Sequence, residues 1–154
     1  MIQLQRILFP TDFSQHAARA QDYACEFADK FAAQLHLMHV LETHVSAAPE
    51  FAMGLALPQR IEESEQDAQR ALAGLLEDKW QADHDVVLAT AHGTPFVEII
   101  RYAKSNQIDL IVMATHGRSA WEHVLMGSVA ERVVRKAPCP VLTIRPEGHQ
   151  FVMP

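Results

Sequence analysis

The densest chemistry in the chain lies at residues 113–131, Met-Ala-Thr-His-Gly-Arg-Ser-Ala-Trp-Glu-His-Val-Leu-Met-Gly-Ser-Val-Ala-Glu. Two glycines, Gly117 and Gly127, bracket nine residues, and Ser128 follows the second. Glycine lets a backbone turn, or approach a ligand, where a Cβ would intrude. Ser128-x-x-Glu131 reads as a capping box, which opens a helix at Gly127-Ser128. The first amides of a helix point outward and favour an anion, so Gly127, Ser128, Val129 and Ala130 describe a phosphate cradle. A glycine ahead of a capped helix is usually just a turn, and the loop is neither a Walker A sequence nor a G-x-G-x-x-G fingerprint. His116, His123 and Glu122 are the residues in this stretch that could position a water or move a proton.

Nine histidines raise the question of a metal. His36 and His39 fall on opposite faces of a strand and do not converge. His116 and His123 have no cysteine or carboxylate at ligand-like spacing beside them, so no protein-built metal site is expected. Cys25 and Cys139 are far apart and outside any C-x-x-C pair, and both read as reduced packing residues.

The elements that must position these residues alternate strand-length apolar runs with longer amphipathic stretches, the mark of a parallel sheet wrapped by helices. Strands are expected at 6–10, 34–40, 85–90, 109–114 and 141–145. The first ends in Thr11-Asp12-Phe13-Ser14, a polar turn able to cap a helix whose stripe is Ala17, Ala20, Ala24, Phe27 or Ala28, and Phe31. Residues 41–58 read as a long loop. A second helix is expected over 61–80, with Ala68, Ala71, Leu72, Leu75 and Leu76 inward. Thr94-Pro95 starts a third, burying Phe96, Ile99, Ile100 and Ala103. Residues 109–114 are the most apolar run, as for a central strand covered on both faces. Ser128 to Lys136 is a short last helix. At the carboxyl edge of such a sheet, where residues 113–131 leave it, ligands bind.

The length of 154 residues fits one domain, taken as 1–146 with a tail at 147–154. A net charge of -6 argues against a nucleic-acid partner, and Arg132, Arg135 and Lys136 are too few to reverse that. No signal-like start and no apolar run near ~20 residues is present, so a cytoplasmic protein without a membrane partner is expected.

With these residues in view the chain resembles the universal stress protein family. The likeness runs from Ile7-Leu8-Phe9-Pro10-Thr11-Asp12-Phe13-Ser14 through Leu37-Met38-His39-Val40 and Asp109-Leu110-Ile111-Val112-Met113. It is most specific in His116-Gly117-Arg118-Ser119, Leu125-Met126-Gly127-Ser128-Val129-Ala130-Glu131-Arg132-Val133 and Ala137-Pro138-Cys139-Pro140-Val141-Leu142. The ATP-binding branch has glycine, two residues, glycine, nine residues, then glycine with serine or threonine. Gly117, Gly127 and Ser128 fit, and Ala114 replaces the first glycine. A left-handed backbone there would cost alanine about 1–2 kcal/mol; otherwise its methyl narrows the pocket.

The resemblance implies a single-domain α/β fold: an open five-stranded parallel sheet, order 3-2-1-4-5, helices on both faces, Rossmann-like. It also implies ATP (or AMP or ADP), with Mg²⁺ bridging the phosphates, over the switch between strands one and four. The implied binding residues are Pro10, Thr11, Asp12, Val40, Met113, Ala114, His116, Gly117, Arg118, Gly127, Ser128, Val129 and Ala130. Asp12 would accept from the ribose hydroxyls or cap the first helix, or both. Val40 would meet the adenine edge through its backbone or simply end its strand. Arg118 would pair with phosphate or remain a solvated loop residue.

The expected function is non-catalytic ATP binding in stress response or signalling, with a slow ATPase and a nucleotide-free dimeric interaction module as alternatives. A homodimer is expected through the edge strand Val141, Leu142, Thr143 and Ile144, unless the tail from Pro146 covers it. Any other protein partner is unspecified by the sequence.

Overall fold

Apolar runs become strands here because their alternate side chains find cover on both sides. The computed structural model describes residues 1–42, 57–116 and 126–145. The strands are β1 (Arg6–Pro10), β2 (Gln34–Leu41), β3 (Val86–His92), β4 (Leu110–Ala114) and β5 (Val141–Ile144). The helices are α1 (Ala18–Phe31), α2 (Leu57–Ala73), α3 (Asp78–Asp83), α4 (Pro95–Ser105) and α5 (Ser128–Lys136). All pairings are parallel and the order is β3-β2-β1-β4-β5, a Rossmann-like α/β sheet. Ile7 stands opposite Leu35 on one side and Leu110 on the other, so β1 is where the strand order reverses.

The period of two sorts the core into two layers. Ile7, Phe9, Leu35, Leu37 and Val112 face Ala20, Ala24 and Ala28 of α1 and Leu72 of α2. Leu8, Met38, Val40, Ile111 and Met113 face Ile99 and Ala103 of α4 and Ala130 and Val133 of α5. Ala20, Ala24 and Ala28 are fully buried, and their small size lets the helix lie close to the sheet. On α1 it is Ala28 that turns inward, while Phe27 stacks on Phe31 at the margin. Across the other layer Arg132 and Lys136 of α5 lie over the Phe96 ring of α4, at 4.9 and 5.8 Å.

Three expectations need correction here. The helix expected over 61–80 is two helices, because the chain breaks at Gly74 and Gln81 Nε2 donates to the carbonyls of Ala73 and Leu76 between them. Ala71, expected inward, is exposed. The segment expected as a loop over 41–58 is helical at Leu57 and Pro58, since proline is tolerated in a first turn; residues 43–56 lie outside the described residues, as does the tail 147–154. Smaller shifts move β3 to residues 86–92 and start β4 at Leu110; just before it the Asp109 carboxylate accepts the N–H groups of Gln5 and Arg6, while the Asp109 N–H donates to the Arg6 carbonyl.

Burial pushes both thiols up, Cys25 to about 12 with a further push from Asp29, Asp22 and Glu26. Both are protonated at neutral pH and pack as small apolar groups.

Candidate functional site

The carboxyl ends of β1, β2 and β4 and the start of α5 surround a cleft of about 620 Å³. β1 delivers Pro10, Thr11 and Asp12 to its rim. The Thr11 N–H donates to the Met38 carbonyl at 2.9 Å. Thr11 Oγ1 then accepts the Phe13 N–H, and Asp12 Oδ1 the Ser14 N–H, each at 3.0 Å. These two side-chain turns fix Asp12 at the strand end. The expected helix-capping role of Asp12 is therefore corrected: its carboxylate closes this turn, and a 3₁₀ turn at Gln15–Ala17 separates it from α1. Ser14, the residue at that turn's N-cap, makes no cap bond with its hydroxyl.

The turn needs support, because Phe13 adopts a left-handed φ of 62°, unfavourable for a residue with a Cβ. Its ring packs on His39, centroids 4.5 Å apart, and His39 Nδ1 donates to the Thr11 carbonyl at 2.8 Å. His39 thus braces the segment that presents Asp12. His36, three residues earlier, reaches Tyr102 of α4 on the opposite face of the sheet.

Met38, Val40, Pro95, Ile99 and Met113 make an apolar wall, and the opposite rim is polar. There Gly127 opens α5 in extended conformation, φ -67° and ψ 153°. Its N–H donates to the Thr115 carbonyl at 2.7 Å, and its carbonyl accepts the Glu131 N–H at 3.0 Å. The cap is thus a glycine without a side chain, and the capping box expected at Ser128 and Glu131 does not form. Ser128 is already the first helical residue, while the Glu131 carboxylate pairs with Arg135 at 2.9 Å. The amides of Ser128, Val129 and Ala130 have no carbonyl to meet within the helix, and among the described residues no cap side chain reaches them.

A Cβ added at Gly127 would stand 3.1 Å from the Thr115 oxygen and 3.6 Å from His116 Cα. Close passage of two chain segments, not a left-handed backbone, is what favours glycine there. Thr115, 3% exposed, holds His116 Nδ1 through its hydroxyl at 2.9 Å.

Pro10, Thr11, Asp12, Val40, Met113, Ala114, His116, Gly127, Ser128, Val129 and Ala130 all line this one cleft. Gly117, Arg118, Glu122 and His123 lie outside the described residues. Sequence reasoning missed Ala17, Met38, His39, Leu41, Glu42, Thr115, Pro95 and Ile99 as lining residues. Thr115 and His39 were signalled by their neighbours in the chain, whereas Pro95 and Ile99 arrive through the packing of α4. The described lining carries Asp12, Glu42, His39 and His116 and no lysine or arginine, so the positive potential offered here comes from the start of α5. Among the described residues no three His, Cys, Asp or Glu side chains gather as a metal site.

Residues 3–145 match the pattern of the Universal stress protein family. The chain belongs to that family. It is 32% identical over 143 residues to Universal stress protein MJ0531 of Methanocaldococcus jannaschii, covering 92% of this chain and 82% of the relative. The structure of universal stress protein UspA from Lactobacillus plantarum has a TM-score of 0.80 at 28% identity, over 94% of this chain and all of that one. At 23% and 21% identity the fold recurs, with TM-scores of 0.64 and 0.59, in a universal stress protein solved with cAMP and one from Archaeoglobus fulgidus solved with dAMP. These matches cover 95% and 94% of this chain and the whole of both relatives.

Ala114 was expected to stand where an ATP-binding pattern has its first glycine. It is the last residue of β4, paired with Ile144, and is not among the residues with positive φ. Its methyl packs against the α1-side core. Alanine is therefore unstrained at position 114.

Proposed function

We propose that this universal stress protein binds an adenine nucleotide, ATP first among them, in the cleft at the β1/β4 switch point and does so without catalysing a reaction, as part of stress response or signalling. The observation that carries this reading is the start of α5, whose first amides, without a partner among the described residues, open onto a cleft with one apolar and one polar wall. Phosphate suits the amides of Ser128, Val129 and Ala130, ribose suits the Asp12 carboxylate, and a base suits the wall of Met38, Val40 and Ile99. The cAMP and dAMP bound by two structural relatives belong to the same ligand class. Magnesium would arrive on the phosphates, and the oxygens of Ser128 and Asp12 suit a hard cation.

ATP with Mg²⁺ should raise the melting temperature of ligand-free protein by several degrees. At a hundred times its dissociation constant a ligand adds about 2.7 kcal/mol, and each kcal/mol is worth roughly 2–4 °C in a domain of this size. Mass spectrometry of ligand released from the purified protein then names the occupant. No shift at millimolar ATP gives the nucleotide-free interaction module. Sustained phosphate release by the same sample gives the slow ATPase, for which His116 is the described candidate residue.

The protein also assembles as a homodimer through β5. Its other edge has no strand beside it among the described residues, and Val141, Leu142, Thr143 and Ile144 include neither lysine nor proline to protect it. Light scattering at micromolar concentration should give twice the chain mass; a monomer there refutes the pairing.

A further inference from the structure

His36 of β2 is 4% exposed, and both its ring nitrogens are engaged. Nδ1 lies 2.8 Å from the Tyr102 hydroxyl of α4, and Nε2 lies 2.8 Å from Gln34 Oε1. Gln34 Nε2 donates to Asp85 Oδ2 at 2.7 Å, which leaves Gln34 Oε1 as an acceptor. His36 Nε2 must therefore carry a proton, and Nδ1 offers a lone pair to the Tyr102 hydroxyl. The chain of bonds runs one way, from Tyr102 through His36 and Gln34 to Asp85. Only the neutral imidazole completes it. The rings of His36 and Tyr102 meet edge to face, centroids 5.7 Å apart, so the contact is packed as well as hydrogen-bonded.

We propose that His36 and Tyr102 form a proton-sensitive latch tying α4 to the sheet, closed while the imidazole is neutral and released when Nδ1 takes a proton. That proton turns an acceptor into a donor facing a hydroxyl that was itself donating. The hydroxyl can rotate to accept, but the new charge stays buried, with only neutral oxygens touching it. The charged groups acting on the ring are Arg6 of β1, which opposes protonation, and Asp85 ahead of β3, which favours it from beyond Gln34; α4 contributes the Tyr102 hydroxyl. Burial first, then Arg6, hold the His36 pKa below its usual 6.5, against the pull of Asp85. Burial also raises the Tyr102 pKa, so its hydroxyl keeps its proton.

The sign follows. A folded pKa below the unfolded one makes this stabilisation complete above about pH 6.5 and removes it as pH falls through the lower folded value. Release acts on the C-terminal half of α4, and the other half of the same helix carries Pro95 and Ile99 of the cleft wall. The latch thereby gives a proton a route to the cleft without touching the ligand, and its test needs no nucleotide.

Amide exchange followed by NMR in the free protein reads it directly, with rates corrected for the intrinsic effect of pH. Between pH 7.5 and pH 5 the protection of α4 amides near Tyr102 and Ala103 should fall at least tenfold while that of Val133 in α5 holds. The His36 ring should report an Nε2–H tautomer at the higher pH. Tyr102→Phe, which keeps the ring and removes the hydroxyl, should show the low α4 protection at both pH values, and His36→Gln should abolish the pH dependence. Equal losses in α4 and α5, or a Tyr102→Phe protein with the native pH profile, would overturn the latch and leave His36 as a packed core histidine.

Discussion

Gly127→Val is expected to abolish nucleotide binding by the folded protein. The added Cβ would stand 3.1 Å from the Thr115 oxygen, and the two further methyls must go either into that chain or into the cleft. Overpacking of this kind costs about 1–3 kcal/mol, less than a typical domain's stability, so the variant remains testable. Ser128→Ala separates ligand contact from helix support, because the Ser128 hydroxyl is not the cap of α5. Its stability should stay within about 0.5 kcal/mol of the parent. Its affinity should fall tenfold or more, since a hydrogen bond to a charged group contributes about 1.5–3 kcal/mol. Ser105→Ala, at the far end of α4, is the control with unchanged affinity. Calorimetric titration checks all three, and native affinity in both loop variants would place the phosphates elsewhere.

Phe9→Ala should lower stability by about 3–5 kcal/mol, the usual loss for a large buried aromatic. Phe9 is 0% exposed on β1, packed in the layer between the sheet and α1. At roughly 2–4 °C per kcal/mol the melting temperature should drop on the order of 10 °C. Denaturant unfolding of both proteins measures the difference. A loss under about 1 kcal/mol would mean that the α1 layer closes over the gap or was never tightly packed.

The strands were legible because β1, β2 and β4 are apolar runs that alternate between two covered faces, which a local window can see. The bounds of α5, Ser128 to Lys136, were legible too, yet its capping was misread. Ser128-x-x-Glu131 satisfies a local pattern, but Gly127 is held in the capping position by the Thr115 carbonyl, a contact that no window around the helix contains. The break after Ala73 was missed because the inward stripe continues in phase to Leu76, while Gly74 and the Gln81 side chain stop the helix. At the site, residues at strand ends were legible from the rule that parallel strands present their carboxyl edge. Pro95 and Ile99 were not, since they reach the cleft only through α4 lying across β2.

The Gly127 N–H rests on the Thr115 carbonyl, and the Thr115 N–H rests in turn on the Ile144 carbonyl at 2.9 Å. The polar lip is therefore anchored through two successive peptide units to the last strand of the sheet. Its conformational freedom is given up when the chain folds rather than when a ligand arrives, and an anion reaching the amides of α5 meets donors already aligned. Pre-organisation of this kind removes an entropic penalty from association, which gives a helix end whose described surroundings in the cleft hold no lysine or arginine a larger share in holding a phosphate.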